Sequence, residues 1–265
     1  MLALNSHRHL GKNTATQAKS MEKLSSGLRI NRAGDDAAGL TISEKMRGQV
    51  RGLNQASRNA QDGISLVQTA EGAMDEVHSI LQRMRELSVQ AGNDTNAAED
   101  KTAIKQEMDE LVKEIDRIAS DTEFNGIKLL DGTAAADIKL QIGANKDQTV
   151  EVTLPDLTTA TLGVDALDVT AADGAGAAIE AIDTALNTVS TARSGFGAIQ
   201  NRLEHTIKNL NNSSENLQAA ESRIRDVDMA KEMMNLTKTN VLNQAAQSML
   251  AQANQQPNQV LQLLQ

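Results

Sequence analysis

The chain has 265 residues, enough for one large domain or two small ones, and a formal net charge of −9. Hydrophobic residues make up 40% of it but aromatics only 1%, Phe124 and Phe196, so a core must come from Leu, Ile, Val, Met and Ala, which suit interlocking helices and leave little for an aromatic-lined ligand pocket. Cysteine is absent, which excludes disulfides, thiolate metal sites and a cysteine nucleophile.

A first helix is expected over Leu10–Leu28, where Leu10, Thr14, Ala18, Met21, Leu24 and Leu28 step by three or four and Gly27 is placed to end it. A turn-rich linker, Asn31–Gly39, follows. Thr41-Ile42-Ser43-Glu44 then has the form of a capping box opening a long helix that runs to about Ala91. Along it Met46, Leu53, Ala60, Val67, Met74 and Leu81 recur at stride seven, as do Ala56, Gly63, Ala70, Val77, Met84 and Ala91. Two such rows, three residues apart, predict a coiled-coil seam whose small residues admit a close neighbour. Gly92-Asn93-Asp94 stops the helix. Asn96, with Glu99 three residues on, predicts the cap of another over about 97–119, burying Ile104, Met108, Leu111, Ile115 and Ile118.

The period then changes. Asn125-Gly126 and Asp131-Gly132 are turn dipeptides, and Ile138, Leu140 and Ile142 alternate, as do Val150, Val152 and Leu154, predicting a β-hairpin with a half-buried face. Residues 156–175, rich in Ala, Thr, Asp and Gly, are expected as irregular surface. From near Ala177 the helical signal returns: Ile182, Val189, Phe196, Leu203, Leu210, Leu217 and Ile224 fall at every seventh residue. Each such side chain gains about 1.5–3 kcal/mol from full burial, so the stripe demands a partner helix along its length. The Leu53–Leu81 row supplies one, and the chain must turn back in its middle, bringing its two ends side by side. The fold class is mainly α: long antiparallel helices in a coiled-coil bundle with a small β-hairpin region in the middle.

The C-terminal stretch has a different character. From Met233 to Gln265 it carries one charged side chain, Lys238, amid many Gln and Asn. An apolar stripe of Met233, Leu236, Leu242, Ala245, Met249, Ala253, Val260 and Leu264 steps mostly by three or four. A helix that is polar but uncharged is expected to be contacted all round, here by copies of itself. Isolated helices of this kind are marginal, so both termini are expected to be disordered in the monomer and to order among neighbouring copies.

Two blocks at opposite ends carry a family resemblance. Leu24-Ser25-Ser26-Gly27-Leu28-Arg29-Ile30-Asn31-Arg32-Ala33-Gly34-Asp35-Asp36-Ala37-Ala38-Gly39-Leu40, continued by Ile42–Arg47 and Asn54–Gly63, resembles the N-terminal signature of bacterial flagellin. Glu221–Ala230 and Asn243–Gln255 resemble its C-terminal signature. The likeness covers roughly 1–132 and 176–265; the short middle implies a form without large outer domains. Ala3-Leu4-Asn5 matches the family opening, but Met1-Leu2 precedes it directly where a short polar segment is usual.

The resemblance implies a filament subunit serving motility, with no cofactor. Residues 1–40 and 226–265 would form inner-tube helices, and 41–225 an outer-tube helical domain with a small β-region at about 125–175. Filament packing would fall to Leu10, Met21, Leu24, Leu28, Met233, Leu236, Leu242, Met249 and Leu264. The implied partners are the chain itself as a helical homopolymer, the flagellar export apparatus, a cytosolic flagellin chaperone, the filament cap and the hook-junction protein. The implied location is the extracellular filament. The stretch Gln82–Val89 resembles the patch gripped by a host flagellin-sensing Toll-like receptor, with Arg83, Leu87 and Glu114 at matching positions and Met84 and Ser88 replacing more usual residues. The alternatives are a hook–filament junction protein and a soluble coiled-coil adaptor.

Other chemistries find little support. No apolar run reaches the ~18 residues of a membrane span, and the N-terminus has no apolar signal core, so the chain is expected either to stay in the cytosol or to leave without a cleaved signal. The basic N-terminal part alternates with acids and lacks an aromatic to stack on a base, against nucleic-acid binding. His7 and His9 do not share a helix face, His78 and His205 stand alone, and no His-Glu-x-x-His occurs, so neither a metal site nor an enzyme is expected. Asp35-Asp36 belongs to the linker, and Gly34 and Gly39 are not followed by the Lys-Ser/Thr of a phosphate loop.

Overall fold

The computed structural model describes residues 2–133, 137–171 and 173–263, with side chains from 4 to 253 within those ranges. Five long helices dominate: α1 (Leu2–Ser26), α2 (Ala37–Ala91), α3 (Ala98–Asp121), α5 (Gly174–Arg225) and α6 (Met229–Leu263), with a short α4 (Thr159–Leu162) and two strand pairs, β1 (Glu123–Phe124) with β2 (Ile127–Lys128) and β3 (Asp137–Gln141) with β4 (Thr149–Thr153). The chain forms two compact units, one of Met1–Val50 with Glu215–Gln265, the other of Arg51–Ser214.

In the second unit the stride-seven rows are buried as expected. Ala56, Ala60, Val67, Ala70, Met74, Val77, Leu81, Met84 and Ala91 of α2 share a core with Ile182, Val189, Phe196 and Leu203 of α5. Polar pairs fix an antiparallel register. Ser214 Oγ donates to Asn54 Oδ1 (2.9 Å) and Ser57 Oγ to Asn211 Oδ1 (3.2 Å). Arg193 meets Asp75 at 2.9 Å and Arg85 meets Asp183 at 2.7 Å. Every step along α2 is matched by an equal step back along α5, so one register holds from residue 54 to residue 85. The α3 helix adds Ile104, Met108, Ile115 and Ala119, while Leu111 and Ile118 are half-buried.

The β-hairpin has the predicted face, with Ile138 opposite Val152 and Leu140 opposite Val150. It is seated on α2: Asn59 Nδ2 donates to the Gln141 carbonyl at 3.0 Å, and a Cβ at Gly63 would strike Leu140. The close neighbour admitted by Gly63 is therefore the hairpin. At Asn125-Gly126 both residues are left-handed (φ 51° and 77°), the geometry of a two-residue hairpin turn.

Four expectations are corrected. Residues 156–175 are not irregular surface: Leu157, Thr159, Leu162, Val164 and Val169 are buried. Asp116 of α3 anchors the segment by accepting the Thr159 N–H (3.0 Å) and hydroxyl (2.8 Å), while Asp156 accepts the Thr158 N–H (3.0 Å) and the Thr161 hydroxyl (2.6 Å). Helix α2 starts four residues before Thr41. Its cap is Asp36, whose Oδ1 accepts the Gly39 N–H at 2.8 Å, while the Thr41 hydroxyl bonds back to the Ala37 carbonyl. Asn96 does not cap α3 either; its amide donates to the Gln90 carbonyl at the end of α2, and Asp100 reaches back to the Ala97 N–H. The first helix runs from Leu2 to Ser26 rather than from Leu10 to Leu28; residues 4–9, apart from Leu4, are polar and carry no apolar period that would mark its start in the sequence.

Candidate assembly surface

In the first unit α1 and α6 pair as an arm whose seam is half polar. On α1 the inward residues are Ser6, Leu10, Asn13, Gln17, Ser20 and Leu24; on α6 they are Leu236, Thr239, Asn243, Ala246, Leu250 and Ala253. Both sets alternate steps of four and three, the spacing of a two-helix seam. Ser20 and Thr239 are buried, Gln17 Nε2 donates to Asn240 Oδ1 at 2.7 Å, and Asn243 Nδ2 donates to Gln17 Oε1 at 2.6 Å.

Eight large apolar side chains face away from that seam. Leu4, Met21, Met229, Met233, Met234, Val241, Leu242 and Met249 are 45–69% exposed. Met233, Met234, Val241 and Leu242, with Thr237 and the Lys238 stem, line a shallow apolar hollow on α6. The stripe read from the sequence is thus divided. Leu236 and Ala253 turn toward α1, Met233, Leu242, Ala245 and Met249 turn to solvent, and the Val260 side chain and Leu264 lie outside the described residues. On the N-terminal side Leu10, Leu24 and Leu28 are half-buried and Met21 is exposed. Met229, Met234 and Val241 were not singled out by the sequence reading; the seven-residue step from Met234 to Val241 was the available signal.

Two linkers clasp the base of the arm. Leu28 and Asp226 form an antiparallel bridge, with the Val227 N–H donating to the Gly27 carbonyl (3.0 Å) and the Arg29 N–H to the Arg225 carbonyl (2.6 Å). Arg29 also donates through Nε to the Ile224 carbonyl (3.1 Å), and the largely buried Arg225 pairs with Glu44 (2.8 Å). Asp35 gathers the N–H groups of Asn31 and Arg32 and the Lys19 ammonium at 2.6 Å. That ammonium, followed by the two backbone donors, lowers the Asp35 carboxyl from 3.8 to about 2. The conspicuous Asn31–Gly39 segment is therefore a folded connector whose two acids each hold backbone N–H groups.

In the second unit Arg83 bonds Glu107 (2.9 Å) and Glu86 (3.2 Å), which together raise its pKa. Leu87 is 2% exposed and packs in the core. Glu114 stands about two turns along α3 from Glu107 and pairs with Arg117, which lowers the Glu114 pKa. Leu87 is buried rather than on the surface, and the α3 acid bonded to Arg83 is Glu107, about two turns from Glu114 on that helix. Among the described residues no group of three or more His, Asp or Glu side chains is arranged to hold a metal ion, and no helix is long and apolar enough to cross a membrane.

The bacterial flagellin N-terminal helical region matches residues 1–135, and the bacterial flagellin C-terminal helical region matches residues 179–264. The chain belongs to the bacterial flagellin family.

Relatives agree along nearly the whole length. Flagellin of Halalkalibacterium halodurans is 64% identical over 264 residues, covering 99% of this chain and 97% of its own. Flagellin of Bacillus subtilis is 56% identical over 295 aligned positions, covering 99% and 97%. The crystal structure of Bacillus cereus flagellin superposes with a TM-score of 0.53 at 36% identity, over 58% of this chain and 88% of that one. This flagellin is a short form without a large outer domain, and it is a structural subunit that polymerises into the bacterial flagellar filament for swimming motility. For a flagellin, an arm that leaves its apolar face in water is an unfinished surface that other subunits can cover.

Proposed function

We propose that assembly of this flagellin is driven by the outward apolar face of the α1–α6 arm. Residues 1–40 and 226–265 form the inner tube of the filament, and 41–225 form the outer tube. The observation that carries this reading is the apolar face the arm leaves open: Gln17 bonds Asn240 and Asn243 across a seam shared with Leu10, Leu24, Leu236 and Leu250, while Met21, Met233, Met234, Val241, Leu242 and Met249 are exposed. Burying six such side chains at about 1.5–3 kcal/mol each supplies a driving force that a lone copy leaves unused. Met21, Met233, Leu242 and Met249 act between subunits, and Leu10, Leu24, Leu28 and Leu236 act within the arm.

Family membership supports the remaining assignments. The chain passes through the flagellar export apparatus, is held before export by a cytosolic chaperone on α6, adds beneath the cap, and joins the hook through the junction protein, so it works outside the cell. It acts by packing rather than by turnover. Recognition by a flagellin-sensing Toll-like receptor centres on Arg83 in this reading, with Leu87 supporting the helix from beneath and Glu114 at the margin. Arg83→Ala should lower receptor signalling.

The test of the assembly reading is seeded polymerisation of the double variant Met234→Gln/Val241→Gln. It should keep the helical content of the parent and fail to elongate filaments. Normal elongation would overturn the reading.

A further inference from the structure

The methionines are sorted by exposure. Of the ten in the chain, Met74, Met84 and Met108 lie in the core of the second unit, 0–2% exposed. Met21, Met229, Met233, Met234 and Met249 lie on the arm, 49–66% exposed, and Met46 is half-buried. The chain has no cysteine to react first with an oxidant. The accessible thioethers of the unassembled subunit are thus concentrated on the helices that carry the apolar face.

We propose that these five arm methionines are an oxidation site for peroxides that switches the subunit out of assembly; this rests on the reading that the arm face packs between subunits. A thioether sulfur attacks one oxygen of hydrogen peroxide; an S–O bond forms as the O–O bond breaks. Sulfur gives up two electrons. The transferred hydroxyl loses its proton to the departing hydroxide, leaving a sulfoxide and water. The product is polar and accepts hydrogen bonds, so a face that would be buried dry between subunits becomes costly to desolvate. The three core methionines have no such access, and the helical fold of the second unit survives.

The experiment treats the monomer with hydrogen peroxide, maps sulfoxides by peptide mass spectrometry, and measures seeded elongation. Sulfoxide should form at the five arm methionines about tenfold faster than at Met74, Met84 and Met108, and elongation should fall about tenfold or more. Methionine sulfoxide reductases should restore it. A variant with Leu at all five arm positions should elongate equally with and without peroxide. Undiminished elongation of the oxidised parent would overturn the proposal, as would loss of elongation in the peroxide-treated Leu variant or failure of the reductases to restore the parent. If Met234→Gln/Val241→Gln also elongates normally, the packing reading itself is wrong; if that variant fails while the oxidised parent elongates, only the oxidation proposal is wrong.

Discussion

The carboxamide of Gln17 is held between two asparagines of the facing helix, donating to Asn240 at 2.7 Å and accepting from Asn243 at 2.6 Å. A polar residue at an inward position of a helix pair fixes register at a cost in stability. Here three amides share that role, and one offset of α1 against α6 satisfies them together.

Gln17→Ala removes both bonds. At about 0.5–1.5 kcal/mol each, the arm should lose about 1–3 kcal/mol of pairing. Hydrogen exchange along α1 and α6 of the monomer should accelerate accordingly, while residues 182–210 of α5 keep the protection of the parent. In the parent itself, α1 and α6 should exchange faster than 182–210, as the proposal that the arm packs fully only among other subunits requires.

The start of α2 offers a second comparison. Asp36→Ala removes the acceptor for the Gly39 N–H and should cost about 1 kcal/mol in urea denaturation. Thr41→Ala touches only a hydroxyl bonded back to the Ala37 carbonyl and should fall within about 0.5 kcal/mol of the parent. Equal losses would return the cap to Thr41.

Asp35 gives the linker clasp a pH signature. Its carboxyl titrates near 2 in the folded chain against 3.8 ordinarily, so the folded state favours the ionised form. The resulting stabilisation is present above about pH 4 and is lost as the pH falls toward 2. Carboxyl NMR of Asp35 should follow that low midpoint, and Asp35→Asn should remove this part of the acid dependence of clasp opening. A midpoint at 3.8 would mean that Lys19 and the two backbone donors do not hold it.

What could be read in advance depended on whether a single period governed the segment. The rows through Val67–Leu81 and Ile182–Leu203 were legible because each inward residue repeats every seventh position and is apolar. The Asn125-Gly126 turn was legible because those two residue types tolerate left-handed backbone. Residues 156–175 were not: Leu157, Leu162, Val164 and Val169 share no period, and the tie that draws them inward comes from Asp116, distant in sequence. The arm misled in another way. Its apolar residues are visible in the sequence, but not how they divide: Leu10, Leu24, Leu236 and Leu250 share the inward positions with Gln17, Ser20, Thr239 and Asn243, and most of the other large apolar side chains look outward. The receptor-like patch shows the same limit, since sequence places Glu114 by analogy and only geometry shows Glu107 beside Arg83.

The most direct measurement is hydroxyl-radical footprinting of side chains in monomer and filament. Met233, Met234, Val241, Leu242 and Met249 should label strongly in the monomer and be protected in the filament, while Met74, Met84 and Leu87 are protected in both. Equal labelling of the α6 residues in the two states, or their protection already in the monomer, would contradict an arm that is completed only by its neighbours.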